Sequence, residues 1–247
     1  MIIEKNNINF KFNDSVNHEE AVNIITKFFK YLDIVLNDRK YGEFLKYVDY
    51  TVEAKLGANY STDDKTMTIP MFDFGNLDEV IYNELVHVKV IIDNYDMLKK
   101  AMNEKINNAL AFLSEYYAIY ETKLYFYNKN PDILKLKGEI DSMWREKKLY
   151  FEKGNELISK YEKILKSNNK KLISEVEISF GNEVKEFKKN INYFNAQWLG
   201  NVSVYNQYSE NKFTTSYDEV VDKIANYIDS INYPITIEDL KYIEGLL

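Results

Sequence analysis

Leu77-Asp78-Glu79-Val80-Ile81-Tyr82-Asn83-Glu84-Leu85-Val86-His87-Val88 is the stretch on which the reading of this chain turns. Val80, Ile81, Leu85, Val88 and Ile92 recur at the spacing of one helix face, so a helix is predicted from Leu77 to Tyr95. Asn76 suits its N-cap, and Asp78 and Glu79 suit the positive end of its dipole. Asn83 and His87 stand four residues apart and share a face, with Glu84 between them. An amide, a carboxylate and an imidazole on an otherwise apolar helix form the one chemically suggestive group in the chain.

On the N-terminal side, Ile8, Phe10 and Phe12 alternate with Asn9, Lys11 and Asn13, the pattern of a half-buried strand. Ser15 or Asn17 can cap a helix from about His18 to Leu36, whose inner face is Ala21, Ile24, Ile25, Phe28, Phe29, Leu32 and Val35. A short amphipathic piece follows at Gly42 to Val48. Thr51 to Tyr60 and Lys65 to Pro70 then flank the turn residues Ser61-Thr62-Asp63-Asp64, which predicts a hairpin.

On the C-terminal side, a helix is expected from Met97 to Tyr127, ended by Asn130-Pro131. Asp132 to Ser167 carries Ile133, Leu136, Ile140, Met143, Tyr150, Leu157, Tyr161 and Ile164 at three-and-four spacing, one arm of a helical hairpin. Lys170 to Asn195 reads as the second arm, with an interruption at Gly181. Trp198-Leu199-Gly200 opens a tail with a polar loop to about Thr215. Two short helices close it, Tyr217 to Ile231 and Ile237 to Leu246, the last started by a Thr236–Asp239 capping box. The expected fold is α+β and predominantly helical. An α+β region at 1–130 and a helical extension at 131–247 are expected to pack as one unit.

Composition bounds the chemistry. The chain contains no cysteine, so any metal must be held by His, Asp or Glu, and disulfides are excluded. A net charge of −7 argues against a surface that neutralises duplex nucleic acid and favours a basic partner or none. No run approaches eighteen uninterrupted apolar residues, and the first residues lack the pattern of a secretory signal. A cytoplasmic protein without a membrane partner is therefore expected. The abundance of Asn, Lys, Ile and Tyr is that of AT-rich genomes, including those of phages and mobile elements.

The Asn83-Glu84-Leu85-Val86-His87 string resembles the HExxH helix of zincin-type metallopeptidases, with asparagine in place of the first histidine. In that family two histidines grip one zinc, and the intervening glutamate is the general base on the metal-bound water. Ser114-Glu115-Tyr116-Tyr117-Ala118, 28 residues beyond His87, is similar to the family's following helix, whose glutamate is the third ligand. The order helix, edge hairpin, motif helix, glutamate helix spans residues 18 to 127. The resemblance implies Asn83 at the first ligand position, Glu84 as base, His87 as second ligand and Glu115 as third.

Asp93 is an alternative third ligand, but Val90 stands where a turning glycine would be needed. Glu121 reads as a surface charge, and His18, in the first turn of its helix, as an exposed polar residue. An amide oxygen is a poor zinc donor beside imidazole. The leading expectation is thus a catalytically impaired zincin-like protein, without a cofactor, that binds or inhibits a protein partner. A metal-dependent peptidase holding zinc through an incomplete ligand set is the alternative. A third is a phage or mobile-element protein that inhibits a host system and has no zincin ancestry. A homodimer seam through the 132–195 helices fits any of these.

Overall fold

The protein is described from a computed structural model, covering all residues except 7, 13–15, 45–48, 53–58, 62–65, 69–75, 95–96, 98–99, 102–105, 167–169, 214–218 and 232–234. Side chains at 38–44, 49–52, 59–61, 66–68, 158, 161, 165 and 170–181 are also outside the description. The chain runs β1 (Ile2–Lys5), β2 (Ile8–Phe12), α1 (His18–Phe44), β3 (Asp49–Val52), β4 (Asn59–Ser61), β5 (Thr66–Thr68) and α2 (Leu77–Asp93). It continues through α3 (Asn107–Lys129), α4 (Ile133–Lys166), α5 (Lys170–Tyr208), α6 (Glu219–Ile228) and α7 (Ile237–Glu244). The fold is predominantly helical with a small sheet.

The sheet order is β1-β2-β3-β5-β4. β1 and β2 form an antiparallel hairpin, with Ile3 opposite Phe10. β2, β3 and β5 are mutually parallel, and β4 returns antiparallel along β5 at the edge. The parallel β2–β3 pair requires a crossover, which α1 supplies. β1 is absent from the sequence reading because Ile2 to Lys5 do not alternate as β2 does. Its turn is marked instead by Asn6 at a φ of 53°, a left-handed conformation that asparagine tolerates. The expected hairpin around 61–64 is present as β4–β5, but its first arm divides: Asp49–Val52 is a separate strand paired with β2 and β5.

Helix α1 begins with a reciprocal cap, in which the Glu20 amide donates to Asn17 Oδ1 at 2.9 Å and the Asn17 amide donates to Glu20 Oε2 at 3.0 Å. Its backbone leaves helical geometry at Asn37, φ 46° and ψ 168°, so the regular helix ends at Leu36 as its apolar face does. Ile8, Phe10 and Phe12 from β2, Ala21 to Leu36 from α1, and Ile81 to Val90 from α2 close one core. Asp78, in the first turn of α2, is bound by Lys27 and Tyr31 of α1 and so fixes the two helices in register.

A second core gathers α3, α4, α5, α6 and α7. Trp144 and Trp198 lie within it, ring centroids 5.6 Å apart. α3 belongs to both cores, giving Ala118 to the first and Phe112, Leu113 and Tyr116 to the second. Lys123 of α3 ties α2 to α4, donating to Glu79 at 3.2 Å and to Glu139 at 2.7 Å. Among the described residues, no helix is long and apolar enough to cross a membrane.

Two sequence expectations change here. The helix expected from Met97 to Tyr127 is broken at Ile106: Met97, Lys100 and Ala101 are helical, α3 starts at Asn107, and 98–99 and 102–105 lie outside the described residues. The arm expected to end at Asn195 continues through Trp198-Leu199-Gly200 to Tyr208, without interruption at Gly181. Trp198, Val202 and Tyr205 repeat at four and three residues and are all buried, which sustains the helix where the polar neighbours had read as loop. The Thr236–Asp239 capping box is formed as expected.

Gly200 of α5 packs tightly against α3. A Cβ there would stand 2.9 Å from Ile119 Cβ and 3.0 Å from the Tyr116 carbonyl oxygen. Gly200→Ala is expected to destabilise the protein by about 1–3 kcal/mol through overpacking. Gly138→Ala, in α4 with nothing within 4 Å of the added carbon, should instead stabilise by about 0.5–1 kcal/mol. Urea unfolding of the two variants measures the contrast.

Candidate functional site

Helix α2 carries Asn83, Glu84 and His87, and α3 carries Ser114 and Glu115. The packing of these helices brings His87 and Glu115 together: Nε2 lies 3.3 Å from Glu115 Oε2. The other ring nitrogen, Nδ1, lies 2.9 Å from Ser114 Oγ. His87 is thus held at both nitrogens by consecutive residues of α3, which fixes the plane of the ring. Glu115, 6% exposed, accepts a second hydrogen bond at Oε1 from Gln197 Nε2 of α5, at 2.8 Å.

Glu84 is 4% exposed, and burial pushes its carboxyl up to about 7; the charge of His87 opposes the shift and that of Glu115 adds to it. For His87, burial disfavours the charged ring. The hydrogen bond to Glu115 and the charges of Glu84 and Glu115 outweigh it and raise the imidazole above its ordinary value. Tyr193 of α5 has half its surface exposed, yet its hydroxyl reaches Glu115 and Gln197. Burial of that hydroxyl and the fields of Glu115 and Glu84 hold it protonated. At neutral pH the Glu84 carboxyl is thus about half protonated, and His87 holds its proton more tightly than a free imidazole does.

The structure therefore sets His87 against Glu115, with buried Glu84 close enough for its charge to act on His87. Asn83 is partly buried on the same helix, and its side-chain nitrogen is buried without a hydrogen-bond partner among the described residues. Asp93 and Glu121 both face Lys89, at 3.9 and 2.9 Å. His18 is exposed at the start of α1. Ser114, Tyr193 and Gln197 were not assigned roles from sequence. Ser114 adjoins Glu115 and could have been found by its place beside it. Tyr193 and Gln197 approach from 78 and 82 residues away along the chain, with no local signal beyond sharing a helix face.

A zinc ion would need three protein donors converging with room between them. The 3.3 Å between His87 Nε2 and Glu115 Oε2 is close to the separation of two donors on one tetrahedral ion with bonds of about 2.0–2.1 Å. Among the described residues no group of three or more His, Asp or Glu is placed to hold a metal. The donor set is one ligand short of a fit. Comparison of the chain with protein-family models, curated proteins and solved structures finds no match.

The buried acid has a signature in stability. The unfolded chain releases the Glu84 proton near the ordinary glutamate value, whereas the folded chain keeps it to about 7. Folding is thus increasingly penalised as pH rises through that window, with no penalty below it. The raised His87 acts in the same direction, its contribution present at low pH and lost as pH rises through its folded value. Glu84→Gln should be more stable than wild type by no more than about 1 kcal/mol at pH 5 and by on the order of 3 kcal/mol at pH 8. Urea unfolding at the two pH values tests this, and an equal offset at both would contradict the assignment.

Proposed function

We propose that this chain is a zincin-like protein whose catalytic centre has become a structural polar cluster, and that it acts by binding or inhibiting another protein. The observation that carries this reading is the closure of the cluster from within. His87 contacts Glu115 directly, and α5 places Gln197 on the remaining Glu115 oxygen and the Tyr193 hydroxyl beside it. The helical extension thus supplies polar partners to Glu115 from within the fold. Support for the zincin-like part comes from element order: α1, the β4–β5 edge hairpin, α2 with Glu84 and His87, then α3 with Glu115. The meeting of Glu84, His87 and Glu115 favours this over an unrelated helical protein, in which these residues would diverge.

A metal-dependent peptidase is a second reading, favoured by the one distance that suits a shared ion, 3.3 Å between His87 and Glu115. Elemental analysis separates the two. Protein produced with excess zinc and dialysed should retain well under one zinc per chain, and Asn83→His, which supplies the missing imidazole, should raise that content toward one. Stoichiometric zinc in the wild type, lost in His87→Ala and in Glu115→Ala, would overturn the binding-only reading in favour of the peptidase.

A further inference from the structure

A separate cleft of about 760 Å³ opens where α3, α5 and α6 meet. Tyr116 and Tyr120 supply one wall, their rings stacked nearly parallel, centroids 5.9 Å apart and planes 8° apart. Both rings are fixed: the Tyr116 hydroxyl donates to Ser203 Oγ at 3.1 Å, and Gln207 Nε2 donates to the Tyr120 oxygen at 2.5 Å. At the lip, Asn206 grips Phe213, accepting from its amide at 2.8 Å and donating to its carbonyl at 3.3 Å. The charged side chains on the lining are Asp222 and Asp229 of the α6 segment, with no Lys, Arg or His among the described lining residues. Lys212 donates to the Asn206 carbonyl and is not part of the lining. In sequence, neither 214–218 nor 232–234, which adjoin the lining residues Phe213 and Ile231, contains a basic residue.

We propose that this cleft binds an arginine-bearing segment of a protein partner. Aromatic faces attract a cation through the ring quadrupole, and a planar guanidinium can stack on such a face while its N–H fork pairs with a carboxylate. A lysine ammonium satisfies the carboxylate but lacks the plane. The space exceeds one side chain, so a chain segment rather than a lone ion is its occupant. Because both tyrosines and the Phe213 lip are already hydrogen-bonded in place, little side-chain freedom is lost on binding. The net charge of −7 adds a long-range attraction for basic partners. The inference stands on this cleft and not on the Glu84 cluster, so zinc at His87 would leave it untouched.

The test is calorimetric titration of the full chain with a blocked Gly-Arg-Gly-Arg-Gly peptide at low salt. The same peptide with citrulline at both arginine positions keeps the shape and removes the charge. Saturable binding with a Kd below about 1 mM is expected, weakened at least about tenfold by citrulline and by the Asp222→Asn/Asp229→Asn pair. A lysine peptide should bind more weakly than arginine. Far-UV circular dichroism establishes that the isosteric variant is folded, and the citrulline comparison is made on wild type. Equal affinity for arginine and citrulline, unchanged binding by the double variant, or no saturation in the millimolar range would each overturn the proposal.

Discussion

The close approach of α3 and α5 at Gly200 is the contact on which the rest of the molecule depends. Among the described residues α3 is the one element that contributes to both cores, so whatever seats α5 on α3 also sets the helical extension against the sheet-bearing half. The absent side chain at Gly200 lets the two backbones meet over Tyr116 and Ile119, on the turn that follows Glu115. From there α5 reaches Glu115 with Gln197 and Tyr193 on one side, and contributes Ser203, Asn206 and Gln207 to the aromatic cleft on the other. One small residue thus positions both polar regions of the protein.

The cluster around His87 shows how burial and charge divide the work. Three ionisable groups sit in a nearly dry space, and leaving all three charged would strand a net negative charge there. The arrangement eases this by raising the affinity of Glu84 for a proton and pairing His87 with Glu115, whose other oxygen accepts from the neutral Gln197 amide. Such a cluster fixes one arrangement of α2, α3 and α5, because displacing any of the three helices would strip a hydrogen bond from a buried charge. It is a centre of structural specificity.

Much of the fold was legible in the sequence because its helices bury narrow apolar stripes. The faces of α1 and α2, the start of α7 and the long α4 arm follow the three-and-four spacing, and the caps at Asn17, Asn76 and Thr236 are made as the residues suggest. The misses have local causes. β1 is a partly exposed strand without alternation, and β3 is buried in a β-rich run whose division into separate strands depends on pairing with distant β2. The last turns of α5 looked like loop because Gly200, Asn201 and Ser203 are polar or small, and only the close approach of α3 makes that composition suitable. Within the candidate site, Glu84 and His87 were visible through their spacing on α2, and Glu115 only through the resemblance of its helix to the zincin glutamate helix. Tyr193 and Gln197 were not, since their role exists only after two elements about eighty residues apart have packed.

The two tryptophans, Trp144 and Trp198, lie side by side in the second core, whereas the first is built on Phe10, Phe28, Tyr31 and Tyr82. Indole emission therefore reports on the α3–α7 half alone, and far-UV ellipticity reports on every helix. The protein carries a built-in optical partition: the degree to which those two signals coincide on unfolding measures how far α3 makes its two cores melt as one.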